Sequence, residues 1–335
     1  MLNKTMWKNL AYALPLLLAA TACGNRADKF TSVLPRRDQV KMNVPANNDA
    51  LAAGDQSELY LATLGISTSV NGGVLWAFDV IEAILAMPPT TLDEDQAVWG
   101  PSEPKGLERL SYRFTVNRIE EGHFSYKLEA RLKENTEESD FVIVFDGEAL
   151  PGDDDRGTGT LNYHLGSRRN LMISQCDLIG EIHVQYDTTT EPRMLDVVLN
   201  GVADECKGED PTDAHYIYTE SPDASGTMDF AVRNNMHRPD ENKPLEEVLA
   251  VRSRWLGTGQ GRSDVQVSEG EIPTDLATYI PGTTATSVEI VECWSDVFVV
   301  DFTDTTPDEL EPHLGHAQSG DASLCAFPDA EFASL

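Results

Sequence analysis

Cations are scarce in this chain: Lys and Arg together number 25 against 56 Asp and Glu, for a formal net charge of −31 over 335 residues. That excludes nucleic acid as an expected partner, because neutralising a phosphate backbone requires a basic surface. Long apolar runs are also missing beyond the N-terminus. Only Leu10 to Ala22 approaches one, and it falls short of the ~20 residues that span a bilayer and contains the helix breaker Pro15. Cysteine is limited to five residues, none in a C-x-x-C pair, which removes the usual four-thiolate zinc site. There is no G-x-S-x-G elbow, no P-loop and no H-E-x-x-H, so the common signatures of a serine nucleophile, a phosphate cradle and a zinc hydrolase are absent.

What is present begins at the N-terminus. Lys4 and Lys8 precede the apolar stretch from Leu10 to Ala20, and small residues lead into Ala20-Thr21-Ala22-Cys23. The arrangement is that of an export signal over residues 1–22. With a cysteine directly behind the cut it resembles the lipobox of bacterial lipoproteins, although Ala20 stands where that family usually has leucine. The resemblance implies lipidation of Cys23 and anchoring to the membrane. Gly24 takes the place where an aspartate would favour the inner membrane, so the resemblance implies an outer-membrane location in the cell envelope. A plain secretory signal cut at the same place is the alternative.

Residues 23–54 are polar and pattern-poor, with Pro35, Pro45 and Asn47-Asn48, and are expected to form a flexible tether reaching roughly 30 Å. Within residues 24–41, Arg26, Lys29, Arg36, Arg37 and Lys41 outnumber Asp28 and Asp38, a weakly basic stretch suited to anionic lipid. Setting Cys23 aside leaves Cys176, Cys206, Cys293 and Cys325. An even number in an oxidising compartment predicts two disulfides. Three pairings are open, and separations near 30 residues favour Cys176–Cys206 and Cys293–Cys325.

Residues 55–100 read as a helical segment. Val74, Ala77, Phe78, Ile81, Ile84 and Leu85 recur at helical spacing, with Asn71 as cap and Pro88-Pro89 as stop. A shorter helix is expected at 56–64. After Trp99-Gly100-Pro101 the period becomes two. Leu110, Tyr112, Phe114 and Val116 alternate with polar residues, and Phe124, Tyr126, Leu128, Ala130 and Leu132 do so after the Glu120-Glu121-Gly122 turn. Ten further strands are expected by residue 303, with no helix long enough for a parallel crossover. The fold class is therefore mainly β, with residues 101–335 forming a large curved antiparallel sheet on which one or two N-terminal helices pack. One helix covers too little of so wide a sheet to leave it flat. The order of elements resembles the half-barrel of envelope lipoproteins and lipoprotein carriers. Subdivision near 234–244 into two β domains is the alternative.

No catalytic constellation is found and no cofactor is expected. His313-x-x-His316 and the acids Asp153 and Asp155 are the residues whose types suit a metal, but their spacing matches no metal loop and solvated side chains are the expectation. His123, His164, His183 and His215 fall on polar strand faces, where exposure is expected. Gly257 to Gly261 reads as a hairpin turn. The leading function is non-catalytic binding of an apolar small molecule or lipid on concave sheet that the short helix leaves uncovered. An envelope protein docked on an acidic β surface is the alternative, and an enzyme ranks third.

Overall fold

The computed structural model describes residues 27–46, 56–102, 109–153, 156–167, 171, 178–208, 210–237, 242–314 and 317–332. Its body is one sheet of 15 strands in which every neighbour is the next strand in sequence and every pairing is antiparallel. The first half contains β1 (Thr91–Leu92), β2 (Gln96–Ser102), β3 (Leu110–Glu120), β4 (His123–Leu132), β5 (Val142–Pro151), β6 (Gly157–His164) and β7 (Leu178–Asp187). The second contains β8 (Arg193–Asp204), β9 (Thr212–Glu220), β10 (Gly226–Asn234), β11 (Glu247–Trp255), β12 (Gly261–Glu269), β13 (Ser287–Trp294), β14 (Val300–Thr306) and β15 (Ser319–Gly320). β10 and β11, which flank residues 234–244, pair along their whole length, so the sheet is continuous there. Its two edge strands are two residues each, which limits the edge exposed to pairing with other chains.

A short helix, α1 (Arg37–Val40), precedes a 28-residue helix, α2 (Glu58–Leu85). The two helices expected at 56–64 and 71–85 are therefore one, and Asn71 lies inside it. Ser57 is the cap instead, its side chain accepting from Tyr60 N–H. The helix continues through Gly72-Gly73 because the sheet holds it on both sides of them. Ser67 Oγ lies 3.1 Å from the Tyr216 hydroxyl, and Tyr163 donates to the Val74 carbonyl.

These contacts also show how the sheet bends. Ser57 meets Glu292 on β13, Thr63 meets Ser253 on β11, Ser67 meets Tyr216 on β9, Val74 meets Tyr163 on β6, and the Met87 carbonyl accepts from Trp99 on β2. From β2 to β13 the sheet runs roughly 53 Å at ~4.8 Å per strand. The helical chain from Ser57 to Met87 spans only about 45 Å at ~1.5 Å per residue. The strands must arch over the helix, and they form an open, curved sheet around it. Four cross-strand pairs on the concave face permit this curvature: Tyr126 opposite Gly147, Tyr186 opposite Gly159, Trp255 opposite Gly226 and Trp294 opposite Gly261. Each aromatic side chain lies where a Cβ on the glycine would clash, with its nearest atom 2.4–2.7 Å away. Covering a strand glycine with an aromatic ring fills the bend.

The expected hairpin β3–β4 is found, turning at the expected Glu121-Gly122, and Trp99, Trp255 and Trp294 are buried. Strands β1, β2 and β15 went unread, the first two in the segment 55–100 read as helical, and so did a helix between β12 and β13. Trp99-Gly100-Pro101 lies inside β2, where the register shifts between Trp99 and Ser102; proline lacks the ladder donor but is tolerated at such an irregularity beside an open edge. A helix, α3 (Ile272–Tyr279), caps one end of the sheet with Leu276 buried.

The convex face of β11–β14 is covered by the C-terminal residues. Cys293 and Cys325 form the expected disulfide. Arg252, Arg254 and Arg262 donate to the carbonyls of Glu331, Pro328 and Phe327, and Asp264 lies buried between Arg254 and Arg262. Cys206 also carries a disulfide; Cys176, its expected partner, lies outside the described residues.

Candidate ligand cleft under the N-terminal strap

Residues 27–46 belong to the stretch read as a tether, yet they are packed. Phe30, Leu34, Val40 and Met42 are buried, and Phe30 meets Phe124 of β4 edge to face with ring centroids 6.2 Å apart. The sequence signal was available: apolar residues recur from Phe30 through Val33, Leu34, Val40, Met42 and Val44. Charged neighbours and two prolines obscured it.

Polar side chains hold this strap at three places. Arg193, at the start of β8, donates to the carbonyls of Asp38 (2.9 Å), Gln39 (2.9 Å) and Lys41 (2.8 Å) at the C-terminal end of α1, while its Nε donates to Glu220 (3.1 Å). The Tyr218 hydroxyl accepts from Asn43 N–H (2.8 Å) and donates to Glu220 (2.6 Å). Burial, and then the neighbouring Glu220, push the Tyr218 hydroxyl well above its ordinary pKa, so it stays protonated. Asn71, midway along α2, accepts from Met42 N–H and donates to the Met42 carbonyl, both at 2.9 Å. A cap residue in the sequence reading is thus an amide that imitates a strand partner.

Clefts lie on either side of the strap. One of ≈570 Å³ runs between Met42–Val44 and the outer face of α2, where Trp76 is exposed. Another of ≈440 Å³ lies between the strap and the β5–β6 hairpin. Its apolar wall includes Leu34, Phe124, Leu150 and Tyr186, and its cations are Lys29, Arg36 and Arg156. Among the described residues lining it there is no acid. Both volumes fall in the range of small-molecule sites. Burial raises the pKa of Tyr186, which presents a neutral hydroxyl.

The concave face itself is not open. Phe114, Leu128, Phe145, Leu161, Val184, Tyr216 and Met228 are fully buried beneath α2 and the strap. The uncovered concave surface expected from a 15-residue helix is filled because the helix is nearly twice that length.

Cys23, Cys176, Asp155 and His316 lie outside the described residues. His313 falls in the short helix Glu311–Leu314, and Asp153 is exposed at the β5–β6 hairpin. Among the described residues no group of three His, Cys, Asp or Glu is placed to hold a metal. Of the four strand histidines, His183 is exposed as expected, whereas His123, His164 and His215 are partly covered; all four are paired, His123 with Glu148, His164 with Asp146, His183 with Asn162 and His215 with Asp196. They spread along the convex face over several strands and do not meet at one centre. Gly257 to Gly261 forms the β11–β12 turn, closed by Leu256 N–H donating to the Gln260 carbonyl.

Sequence reasoning missed one further cluster, under α3. Glu247 is fully buried and accepts from the backbone N–H groups of Met236 and Glu271. His237 lies between it and Asp275, 3.2 Å and 2.9 Å away. Lys243 completes the cluster on Asp275.

The site is thus a set of strap-bounded clefts on an open antiparallel half-barrel. Comparison with family models, curated proteins and solved structures gives no match.

Proposed function

We propose that this chain is an envelope lipoprotein, anchored through acyl chains on Cys23, whose body binds an apolar ligand in the cleft between the N-terminal strap and the β5–β6 hairpin. The carrying observation is that cleft: ≈440 Å³, with Leu34, Phe124, Leu150 and Tyr186 along its wall. Position supports the link to a membrane. Phe30, buried in the strap, lies seven residues along the chain from Cys23, a span of at most roughly 25 Å. On this reading the outer membrane supplies both anchor and ligand.

Two measurements test it. The full chain and its Cys23→Ala variant are expressed in a bacterial host and fractionated. The mature protein is expected in the membrane fraction with an acylated N-terminal cysteine, and the variant is expected to lose both. Recovery of an unmodified Cys23 overturns the anchoring. Native mass spectrometry of the purified protein is expected to show a co-purifying amphiphile that Leu150→Asp diminishes; a ligand-free protein overturns the binding role.

A further inference from the structure

We propose that the strap cleft selects amphiphiles with an anionic headgroup, a carboxylate or phosphate held by Lys29, Arg36 and Arg156 while the chain lies along Leu34 and Leu150. The inference rests on the reading that this cleft takes an apolar ligand, and it adds the chemistry of the headgroup.

The first ground is charge. Acids outnumber bases 56 to 25 in the whole chain, yet the described lining of this cleft contains three bases and no acid. The second ground is how those bases are engaged. Lys29 Nζ donates to a neutral acceptor, the Glu94 carbonyl, at 3.2 Å, and its charge lies 5.6 Å from the Phe30 ring. Arg156 pairs with Glu191 at 3.2 Å and Arg36 with Asp38 at 3.8 Å, and all four side chains are about half exposed or more. Exposed pairs of this kind contribute little, so a ligand oxyanion can take the place of Glu191. The planar guanidinium offers two parallel donors, which matches a carboxylate or phosphate edge.

The third ground is placement. Arg156 stands on the β5–β6 hairpin and Lys29 and Arg36 on the strap, so the cations come from opposite walls of one cleft. Tyr186 and Phe124 rise from the concave face below them. A headgroup at the rim and a chain along the wall satisfy both kinds of lining at once. A neutral amphiphile would leave the guanidinium unrewarded for losing water.

A free fatty acid and a phospholipid offer this same chemistry, and the test separates them. The full chain in phosphatidylcholine nanodiscs is titrated with laurate, dodecyl phosphate and dodecanol, with empty nanodiscs as the partition background. At least one anionic ligand is expected to bind tenfold or more tighter than dodecanol. A stronger carboxylate identifies the fatty acid as source, and a stronger phosphate identifies the phospholipid. Arg156→Gln is expected to remove most of that preference, Arg156→Lys to restore part of it, and added salt to erode it. Equal affinity for all three ligands, unchanged in Arg156→Gln, overturns headgroup selection and leaves the binding role standing. Failure of all three to bind overturns the binding role and this inference with it.

Discussion

Arg193→Met removes the guanidinium that clamps the strap while keeping most of its apolar stem. Three donor contacts to the carbonyls of Asp38, Gln39 and Lys41 disappear, together with the pairing to Glu220. Hydrogen bonds from a charged group contribute about 1.5–3 kcal/mol each, so the three carbonyl contacts represent roughly 5–9 kcal/mol before water is counted. The site is one-fifth exposed on the arginine side, and water rehydrates the freed carbonyls. Phe30, Leu34, Asn71 and Tyr218 still hold the strap. A net loss of about 3 kcal/mol is therefore expected, and it is local. The readout is hydrogen exchange at Met42 and Asn43, whose amides donate to the Asn71 side chain and to the Tyr218 hydroxyl. At ~1.4 kcal/mol per decade, their exchange should accelerate about 150-fold, with ladder amides of β8 and β9 unchanged. Acceleration below tenfold, or acceleration shared by the whole sheet, would show that the strap is not held by this clamp.

Glu292→Ala withdraws the carboxylate that accepts from Ser57 Oγ and Leu59 N–H at the start of α2. Losing two charge-assisted bonds at a buried helix N-terminus should cost about 3–5 kcal/mol in urea unfolding, and Glu292→Gln less; an Ala variant within about 1 kcal/mol of the parent contradicts the capping role. Gly73→Ala lies in the exposed middle of α2, where an added Cβ meets nothing within 4 Å. It should stabilise the protein by about 1 kcal/mol, and a lowered melting temperature would mean that the glycine has a packing role. Burial raises the Asp275 pKa, but hydrogen bonds from Lys243 and His237 outweigh it and hold the carboxyl below its ordinary value. A depressed carboxylate contributes stability above the unfolded-state pKa that is lost as pH falls through the folded one. Asp275→Asn should therefore flatten the acid limb of stability against pH, and an unchanged limb would refute the assignment.

Periodicity made the sheet legible. Phe114 and Val116, and Tyr126 and Leu128 opposite them, alternate with polar residues because a strand turns successive side chains to opposite faces. That signal is local and survives in any context. The strap was illegible for the opposite reason. Phe30, Leu34 and Met42 fit no single period, and what fixes them is Arg193, more than 150 residues away. The site inherited this limit: Arg156 and Lys29 share a cleft only because the β5–β6 hairpin and the strap meet across the sheet.

Sequence alone determined most of the strands between residues 110 and 303, their order, the face each residue takes and the acidity of the surface, since all follow from composition and nearest neighbours along the chain. It also raised the lipidation expectation through Cys23 and the residues before it. The tertiary structure decided how far α2 extends, which residues of the leader are docked, and where cations collect. Glycines that would interrupt an isolated helix are held by Tyr216, Tyr163 and Met42. A helix end is stabilised by a glutamate 235 residues along the chain from its cap. Long-range contacts of this kind outweigh local propensities of about 1 kcal/mol per glycine, and for that reason they leave no trace in a short window of sequence.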